Sequence, residues 1–126
     1  MNRRYKWFKL SEFDSPDSEG SGELMEHHVL ERLDLARDIY GRPMIVNSGF
    51  RTIAHNKSLI DAGYKASRNS SHLLGLAVDI HCGNSNDRFL MLEAFLDAGF
   101  NRIGIGSNFI HVDCDEEKSP LVIWTY

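Results

Sequence analysis

The chain has 126 residues, of which 42% are hydrophobic and 25% are charged, and its formal net charge is -4 at pH 7. These values are typical of one globular domain, here residues 1–126. A chain of this length can bury enough surface to fold without disulfides or structural metals. The negative charge argues against nucleic acid as a partner, because nucleic-acid-binding surfaces are basic. No apolar segment approaches the roughly 20 residues that cross a bilayer, so we expect no membrane partner.

No apolar segment of signal-peptide length follows the basic residues in MNRRYKWFKLSEFD. We therefore expect a protein that is cytoplasmic as synthesised, which is compatible with a phage- or prophage-derived protein released by lysis. Cys82 and Cys114 match no CxxC pattern, so two free core thiols are expected, with a disulfide or metal ligation as alternatives. The oligomeric state is left open.

The first predicted elements are a surface loop and a helix. Residues 14–22 are rich in Ser, Gly and Asp and predict a surface loop. Apolar residues then recur at helical spacing and predict a first helix within residues 23–41, ended by Gly41: Met25, Val29, Leu33, Ala36 and Tyr40. His27 and His28 lie off this stripe and are expected to face solvent.

The rest of the chain predicts strand, helix, strand, helix and three strands. The segments are residues 43–46, 52–63, 76–82, 85–99, 101–106, 108–114 and 120–126, with a turn at 47–49. Thr52 is expected to cap the second helix, and Ser85 or Asn86 the third. This order is not a regular β-α-β alternation, so it predicts a single α+β domain with a mainly antiparallel sheet packed with helices.

Two of these strands have one polar and one apolar face. Side chains alternate along a strand, so Asp79 and His81 share a face of LAVDIHC, and His111 and Asp113 share a face of NFIHVDC. Each polar face thus carries a histidine and an aspartate. An ionised carboxylate is costly to bury unless it is paired, so this pattern favours a site built on the sheet.

His72, Asp79 and His111 supply two imidazoles and one carboxylate, a ligand set that suits Zn²⁺ and leaves a fourth position for water. Bound zinc would pair Asp79, lower the pKa of its water and polarise a carbonyl. The alternative is structural: His72 caps a turn, Asp79 accepts backbone N–H groups, and His111 is a core histidine. Gly75 suits a bend at which the backbone approaches the site.

The segments SGFR, SSHLLGLAVDI and FIHVD together resemble the zinc D-alanyl-D-alanine carboxypeptidases. Their superfamily includes the L-alanyl-D-glutamate endolysins, the D-Ala-D-Ala dipeptidases and the hedgehog signalling domain. The family pattern Ser-x-His-x-x-Gly-x-Ala-x-Asp is matched in register by Ser70, His72, Gly75, Ala77 and Asp79. The resemblance covers residues 8–113, nearly the whole chain.

This resemblance implies a hedgehog/DD-peptidase-like fold, a Zn²⁺ cofactor and a zinc ligand set of His72, Asp79 and His111. It also implies hydrolysis of peptide bonds in peptidoglycan stem or bridge peptides that contain D-amino acids, by a carboxypeptidase or an endopeptidase. Arg51 matches the arginine that faces the substrate, with a structural salt bridge as the alternative. Ser70 matches the family serine, which either bonds substrate or shapes the loop.

One position departs from the family pattern. The better-known branches have an acidic residue three positions before the last histidine, and this chain has Asn108 there. Asp113 is the replacement candidate for the general base, and the alternative is that it holds a ligand histidine in the right tautomer. His81, His55 and the loop around Asp14 and Asp17 are weaker candidates. If none serves, the domain is a non-catalytic zinc domain that binds cell-wall peptide or a protein partner.

Overall fold

The computed structural model describes residues 4–64 and 66–126. Within them the chain forms three α-helices, three short 3-10 helices and five strands. The helices are α1 (His27–Tyr40), α2 (Ile53–Asp61) and α3 (Ser85–Asp97), and the 3-10 helices are Leu10–Phe13, Ser21–Leu24 and Ser71–Leu74. The strands are β1 (Val46–Ser48), β2 (Ala77–His81), β3 (Arg102–Ile105), β4 (Phe109–Asp113) and β5 (Val122–Thr125). None of the described helices combines the length and the apolar character that a bilayer crossing requires.

The strands form one sheet in the order β1-β2-β4-β3-β5. The pairs β1–β2, β2–β4 and β3–β4 are antiparallel, and β5 joins β3 in parallel as an edge strand. The α+β class with a mainly antiparallel sheet, predicted from the order of elements, is therefore confirmed.

One face of the sheet packs against α1 and α3. From β2 and β4 this face contributes the fully buried side chains of Val78, Ile80, Ile110 and Val112. They join one cluster with Leu33 of α1 and Phe95 of α3. Full burial of one such side chain contributes about 1.5–3 kcal/mol, so this face supplies most of the stabilisation of the sheet. The opposite face is left for polar residues.

Two of the predicted boundaries are wrong. β1 runs from Val46 to Ser48, across the predicted turn, because Val46 pairs with Ile80 and Ser48 with Asp79, with a bulge between them. The N-cap of α3 is Asn84, whose side chain accepts a hydrogen bond from the backbone N–H of Asp87. Thr52 caps α2 as predicted, since its hydroxyl accepts from the backbone N–H of His55.

The loop at residues 14–22 lies at the surface as predicted, but two of its serines are docked against the rest of the domain. Ser15 and Ser21 are buried, because the Ser15 hydroxyl accepts from the Thr52 backbone N–H and the Ser21 hydroxyl accepts from the Ser15 backbone N–H. The loop therefore docks on the N-terminus of α2. As expected, His27 and His28 are exposed and both cysteines are free, although Cys114 is only partly buried.

Candidate metal centre

A row of cross-strand partners crosses the sheet on the face opposite the helices. From β1 to β5 its members are Ser48, Asp79, His111, Gly104 and Trp124. Side chains of directly opposite residues stand about 4.5–5.5 Å apart at Cβ, so neighbours in such a row touch. The register of β2 against β4 therefore brings Asp79 and His111 together.

His72 reaches the row from the 3-10 helix that precedes β2. The Ser70 side chain caps this helix by accepting from the His72 backbone N–H at 3.2 Å. The His72 imidazole is buried, and its Nδ1 lies 2.7 Å from the Gly49 carbonyl oxygen. A carbonyl only accepts, so Nδ1 carries the hydrogen and Nε2 is free to act as an acceptor or ligand.

The three predicted ligands lie together. Their potential ligand atoms are all within 4.8 Å of one another. Asp79 Oδ1 is 3.3 Å from His72 Nε2 and 2.9 Å from His111 Nδ1. Two imidazole nitrogens and one carboxylate oxygen therefore point at one place on the sheet.

The contact between His72 and Asp79 is the best test of whether these residues fit a metal. His72 Nε2 is buried and has no hydrogen-bond partner, although it lies within ion-pair distance of Asp79. Burial lowers the pKa of His72, which leaves its imidazole neutral and Nε2 with a lone pair. A lone pair and a carboxylate oxygen repel each other at this distance, and a cation between them would satisfy both. The donor set fits Zn²⁺.

Arg51 holds the other oxygen of Asp79. Its guanidinium is mostly buried, and one terminal nitrogen donates to Asp79 Oδ2 at 3.3 Å. Arg51 Nε donates to the Ser48 hydroxyl at 3.0 Å. Burial alone would raise the pKa of Asp79, but the His72 and His111 imidazoles beside its carboxylate hold that pKa well below its ordinary value. Asp79 is thus an ionised ligand with Oδ1 turned toward the histidines.

Asp113 lies on the metal-facing side of β4, bonded to His111. Asp113 Oδ2 is 2.7 Å from His111 Nε2, while Oδ1 accepts from Arg102 Nε at 2.7 Å and from the Asp115 backbone N–H at 3.1 Å. Burial raises the pKa of Asp113, but the hydrogen bond and charge of His111 outweigh it and the pKa is lowered. Burial lowers the pKa of His111, and its hydrogen bonds to Asp113 and Asp79 reverse this, so the pKa is raised. With both oxygens engaged, Asp113 has the geometry of a residue that orients a ligand histidine.

Two residues singled out in the sequence shape the chain around the centre. The Ser70 hydroxyl caps the turn that carries His72, which matches the loop-shaping alternative. Gly75 adopts φ 70°, but the backbone that approaches it belongs to Leu24 and Met25 and not to the centre. The expectation that Gly75 allows backbone to approach the site is therefore wrong. Its carbonyl accepts from Glu26 and ties this bend to the start of α1.

Two neighbouring cavities open onto the centre. The smaller, of about 220 Å³, lies over the two histidines and is lined by Ser70, Arg102, Asp113, Lys118 and Trp124 among others. The larger, of about 630 Å³, runs toward α2 and is lined by His55, Leu59, Tyr64 and Asn108 among others. Residues common to both cavities are Arg51, Ala66, Asp79, Phe109 and Tyr126. Of the three candidate ligands, Asp79 lines both cavities, and His72 and His111 line the smaller one.

Of the weaker base candidates, His55 lines the larger cavity. His81, Asp14 and Asp17 line neither cavity. The Asp14 carboxylate accepts from backbone N–H groups of its own loop, and the Asp17 carboxylate accepts from the Thr52 hydroxyl. These three residues are therefore placed away from the candidate reaction site.

Sequence reasoning missed three residues of the site: Arg102, Trp124 and Tyr126. All three line the smaller cavity, and Tyr126 also lines the larger one. The sequence predicts β5 only as a last strand, whereas its parallel pairing with β3 carries Trp124 over Gly104 and next to His111. The signal that could have found Trp124 and Tyr126 is the alternation in WTY, which puts two aromatic rings on one strand face.

The fold and the donor set define an α+β domain with a candidate transition-metal centre on its sheet. The family model described as Peptidase M15 matches residues 6–113. The chain therefore belongs to the peptidase M15 family, which confirms the resemblance carried by Ser70 to Asp79 and FIHVD.

The crystal structure of the Serratia marcescens L-Ala D-Glu endopeptidase ChiX is similar to this one. The TM-score is 0.63 at 19% sequence identity, and the match covers 75% of this chain and 84% of that chain. At this identity the similarity shows a shared fold. A search of the curated proteins found no significant match.

Proposed function

We propose that this chain is a zinc-dependent peptidase that hydrolyses peptide bonds in peptidoglycan stem or bridge peptides containing D-amino acids. The observation that carries the proposal is the convergence of His72 Nε2, Asp79 Oδ1 and His111 Nδ1 in the smaller cavity, which meets the larger one at Asp79. Membership of the peptidase M15 family supports the reaction class. The similar fold of ChiX, an L-Ala D-Glu endopeptidase, supports the substrate class.

When bound, zinc would supply a Lewis acid for the scissile carbonyl and lower the pKa of its water. The chain provides the ligands and fixes their orientation. The Gly49 carbonyl holds the His72 hydrogen on Nδ1, and Asp113 holds His111 through Nε2. Hydrogen bonds of this kind fix the tautomer of a ligand histidine and strengthen its binding to metal.

Arg51 would have two roles in this reaction: it orients Asp79, and it donates to the bound peptide. It binds Asp79 Oδ2, and it lines both cavities beside the metal-binding atoms. A guanidinium in this position can donate to the carbonyl or carboxylate of a bound peptide while it keeps Asp79 oriented. Peptide bound across the junction would have its longer part in the larger cavity, beside Leu59 and Tyr64.

A second function is a zinc domain that binds such peptides without cleaving them. Two observations favour it: Asn108 stands where the better-known branches of the superfamily have an acidic residue, and both oxygens of Asp113 are engaged. The base role of Asp113 stays a prediction. Among the other candidates from the sequence, His55 lines the larger cavity and is the one to test beside Asp113.

Digestion of defined muropeptides tests the proposal. Zinc-loaded protein is incubated with soluble muropeptides that carry both L-Ala–D-Glu and D-Ala–D-Ala bonds, and products are identified by mass spectrometry. We expect one bond type to be hydrolysed by the wild type and by His28→Ala, since His28 is an exposed histidine of α1. His72→Ala should yield no product.

Intact muropeptides after incubation with protein of verified zinc content would overturn the peptidase proposal. Calorimetric titration of the same muropeptides then decides whether the non-catalytic function holds. Binding that requires zinc supports it, and absence of binding excludes both functions.

A further inference from the structure

Four side chains from three strands form a closed ring of contacts around the outer edge of His111. Arg102 Nε donates to Asp113 Oδ1 at 2.7 Å, and Asp113 Oδ2 lies 2.7 Å from His111 Nε2. The His111 and Trp124 ring centroids are 5.5 Å apart. The Arg102 guanidinium lies 5.1 Å from the centroid of the Trp124 ring, which closes the ring of contacts. We call these four residues the His111 ring.

The His111 ring depends on β5, which lies beyond the segment 6–113 that matches the family model. Trp124 can cover the sheet here because its partner on β3 is Gly104. A Cβ at Gly104 would lie 2.7 Å from atoms of the Trp124 indole, so any side chain at position 104 would displace the indole. The glycine on β3 and the tryptophan on β5 are therefore complementary.

We propose that Arg102 is a positioning residue for the metal centre. It holds Asp113 in the orientation in which Asp113 accepts from His111 Nε2. The Nε2 hydrogen then stays in place when a metal displaces the Nδ1 hydrogen shared with Asp79, and the lone pair of Nδ1 binds the metal. A neutral imidazole has one N–H, and fixing it on one nitrogen leaves the other as ligand. This inference rests on the metal centre of the proposed function and is independent of its substrate.

The contacts of Arg102 suit this role, and a lysine side chain could not make all of them. Its Nε donates to Asp113, its NH1 donates to the Ser119 carbonyl oxygen at 2.6 Å, and its guanidinium carbon lies over the Trp124 ring. The side chains of Arg102 and Asp113 are only 11% and 1% exposed, so water has little room to replace the guanidinium. A lysine has one point charge and could make only part of this set.

The test is a double-mutant cycle on zinc affinity, measured by competition with a chromophoric chelator. The proteins are the wild type, Arg102→Gln, Asp113→Asn and the double variant. We expect each single change to raise the Kd for zinc by about 10- to 100-fold, the range for loss of a residue that orients a ligand. The double variant should have the Kd of Asp113→Asn within about threefold, because Arg102 acts through Asp113.

Arg42→Gln is a matched control. Arg42 also pairs with an aspartate, at 3.0 Å from Asp87 Oδ1, and also lies over an aromatic ring, at 5.9 Å from the centroid of Tyr40, but its side chain is exposed. Its zinc Kd should equal that of the wild type. Melting temperatures in excess chelator separate losses of stability from losses of affinity.

An unchanged zinc Kd in Arg102→Gln would overturn the inference. So would a zinc Kd in the double variant that is raised by the product of the two single fold-increases, because the two residues would then act independently. If Arg102→Gln fails to fold, Arg102→Lys replaces it in the cycle. We then expect the Kd for zinc to rise by at least about threefold, and the double variant is again compared with Asp113→Asn. Because the readout is metal affinity, a chain that cleaves no muropeptide can still support this inference, and an active peptidase can still contradict it.

Discussion

Strands β2 and β4 have two faces, and different forces hold the side chains on each. On the face toward α1 and α3, Val78, Ile80, Ile110 and Val112 are held by packing in the core. On the opposite face, Asp79, His111 and Asp113 are held by hydrogen bonds and ion pairs to one another and to two arginines. Packing is non-directional, whereas these polar contacts fix individual atoms. The apolar face should therefore determine stability and the polar face should determine metal geometry.

The largest expected effect is on the polar face. His72→Ala removes one of three ligands, and we expect zinc content to fall from one per chain to near zero. The fold should persist, since the apolar face is untouched. Metal analysis after gel filtration, with circular dichroism of the same sample, measures both. Full zinc content in His72→Ala would show that the metal lies elsewhere.

The matching change on the apolar face is Ile110→Ala. Ile110 is fully buried beside Ile80, and its truncation leaves a cavity. We expect the free energy of unfolding in chelator to fall by about 2–5 kcal/mol. Urea denaturation provides the value. The zinc Kd of the folded protein should stay within about threefold of the wild type, and a larger change would mean that the two faces are not separable.

A smaller effect is expected for Arg51, which lies on the polar face beside the proposed substrate site. Arg51→Lys keeps the charge but loses the planar fork that reaches Asp79, Ser48 and the cavities. We expect turnover of muropeptides to fall by about 10- to 100-fold, with little change in melting temperature. Arg42→Lys serves as the exposed control. A large drop in melting temperature at unchanged turnover would make Arg51 a structural residue.

The smallest effect is predicted for Asp113→Asn at saturating zinc. A positioning residue loses metal affinity, so turnover should recover to within about tenfold of the wild type once zinc is restored. Loss of a general base would instead leave turnover about 10²- to 10⁴-fold lower at any zinc concentration. Steady-state kinetics over a zinc titration distinguish these outcomes, and His55→Gln in the same assay tests the other candidate.

The sequence predicted the polar faces because alternation along a strand needs no knowledge of the neighbouring strand. Asp79, His111 and Asp113 could be placed on metal-facing sides in this way. The row that joins Ser48 to Trp124 could not be predicted, since it depends on the register of four strand pairs and on a bulge in β1. Local pattern does not contain that information.

The contacts of β5 were beyond sequence reasoning for a similar reason. The sequence predicted a strand at residues 120–126, but the partner and direction of a strand are long-range properties. Parallel pairing with β3 sets Trp124 opposite Gly104, and this placement puts an aromatic ring beside His111. The capping of α3 by Asn84 was missed by one residue because Asn84, Ser85 and Asn86 are all good caps.

Anomalous scattering from crystals of the zinc-loaded protein, recorded above the zinc absorption edge, tests the metal centre most directly. We expect one peak per chain, at about 2.0–2.2 Å from His72 Nε2, an Asp79 carboxylate oxygen and His111 Nδ1, with Asp113 bonded to His111 Nε2 and outside the ligand shell. A peak ligated by His111 Nε2 or by Asp113, or no peak near these three residues, would contradict it.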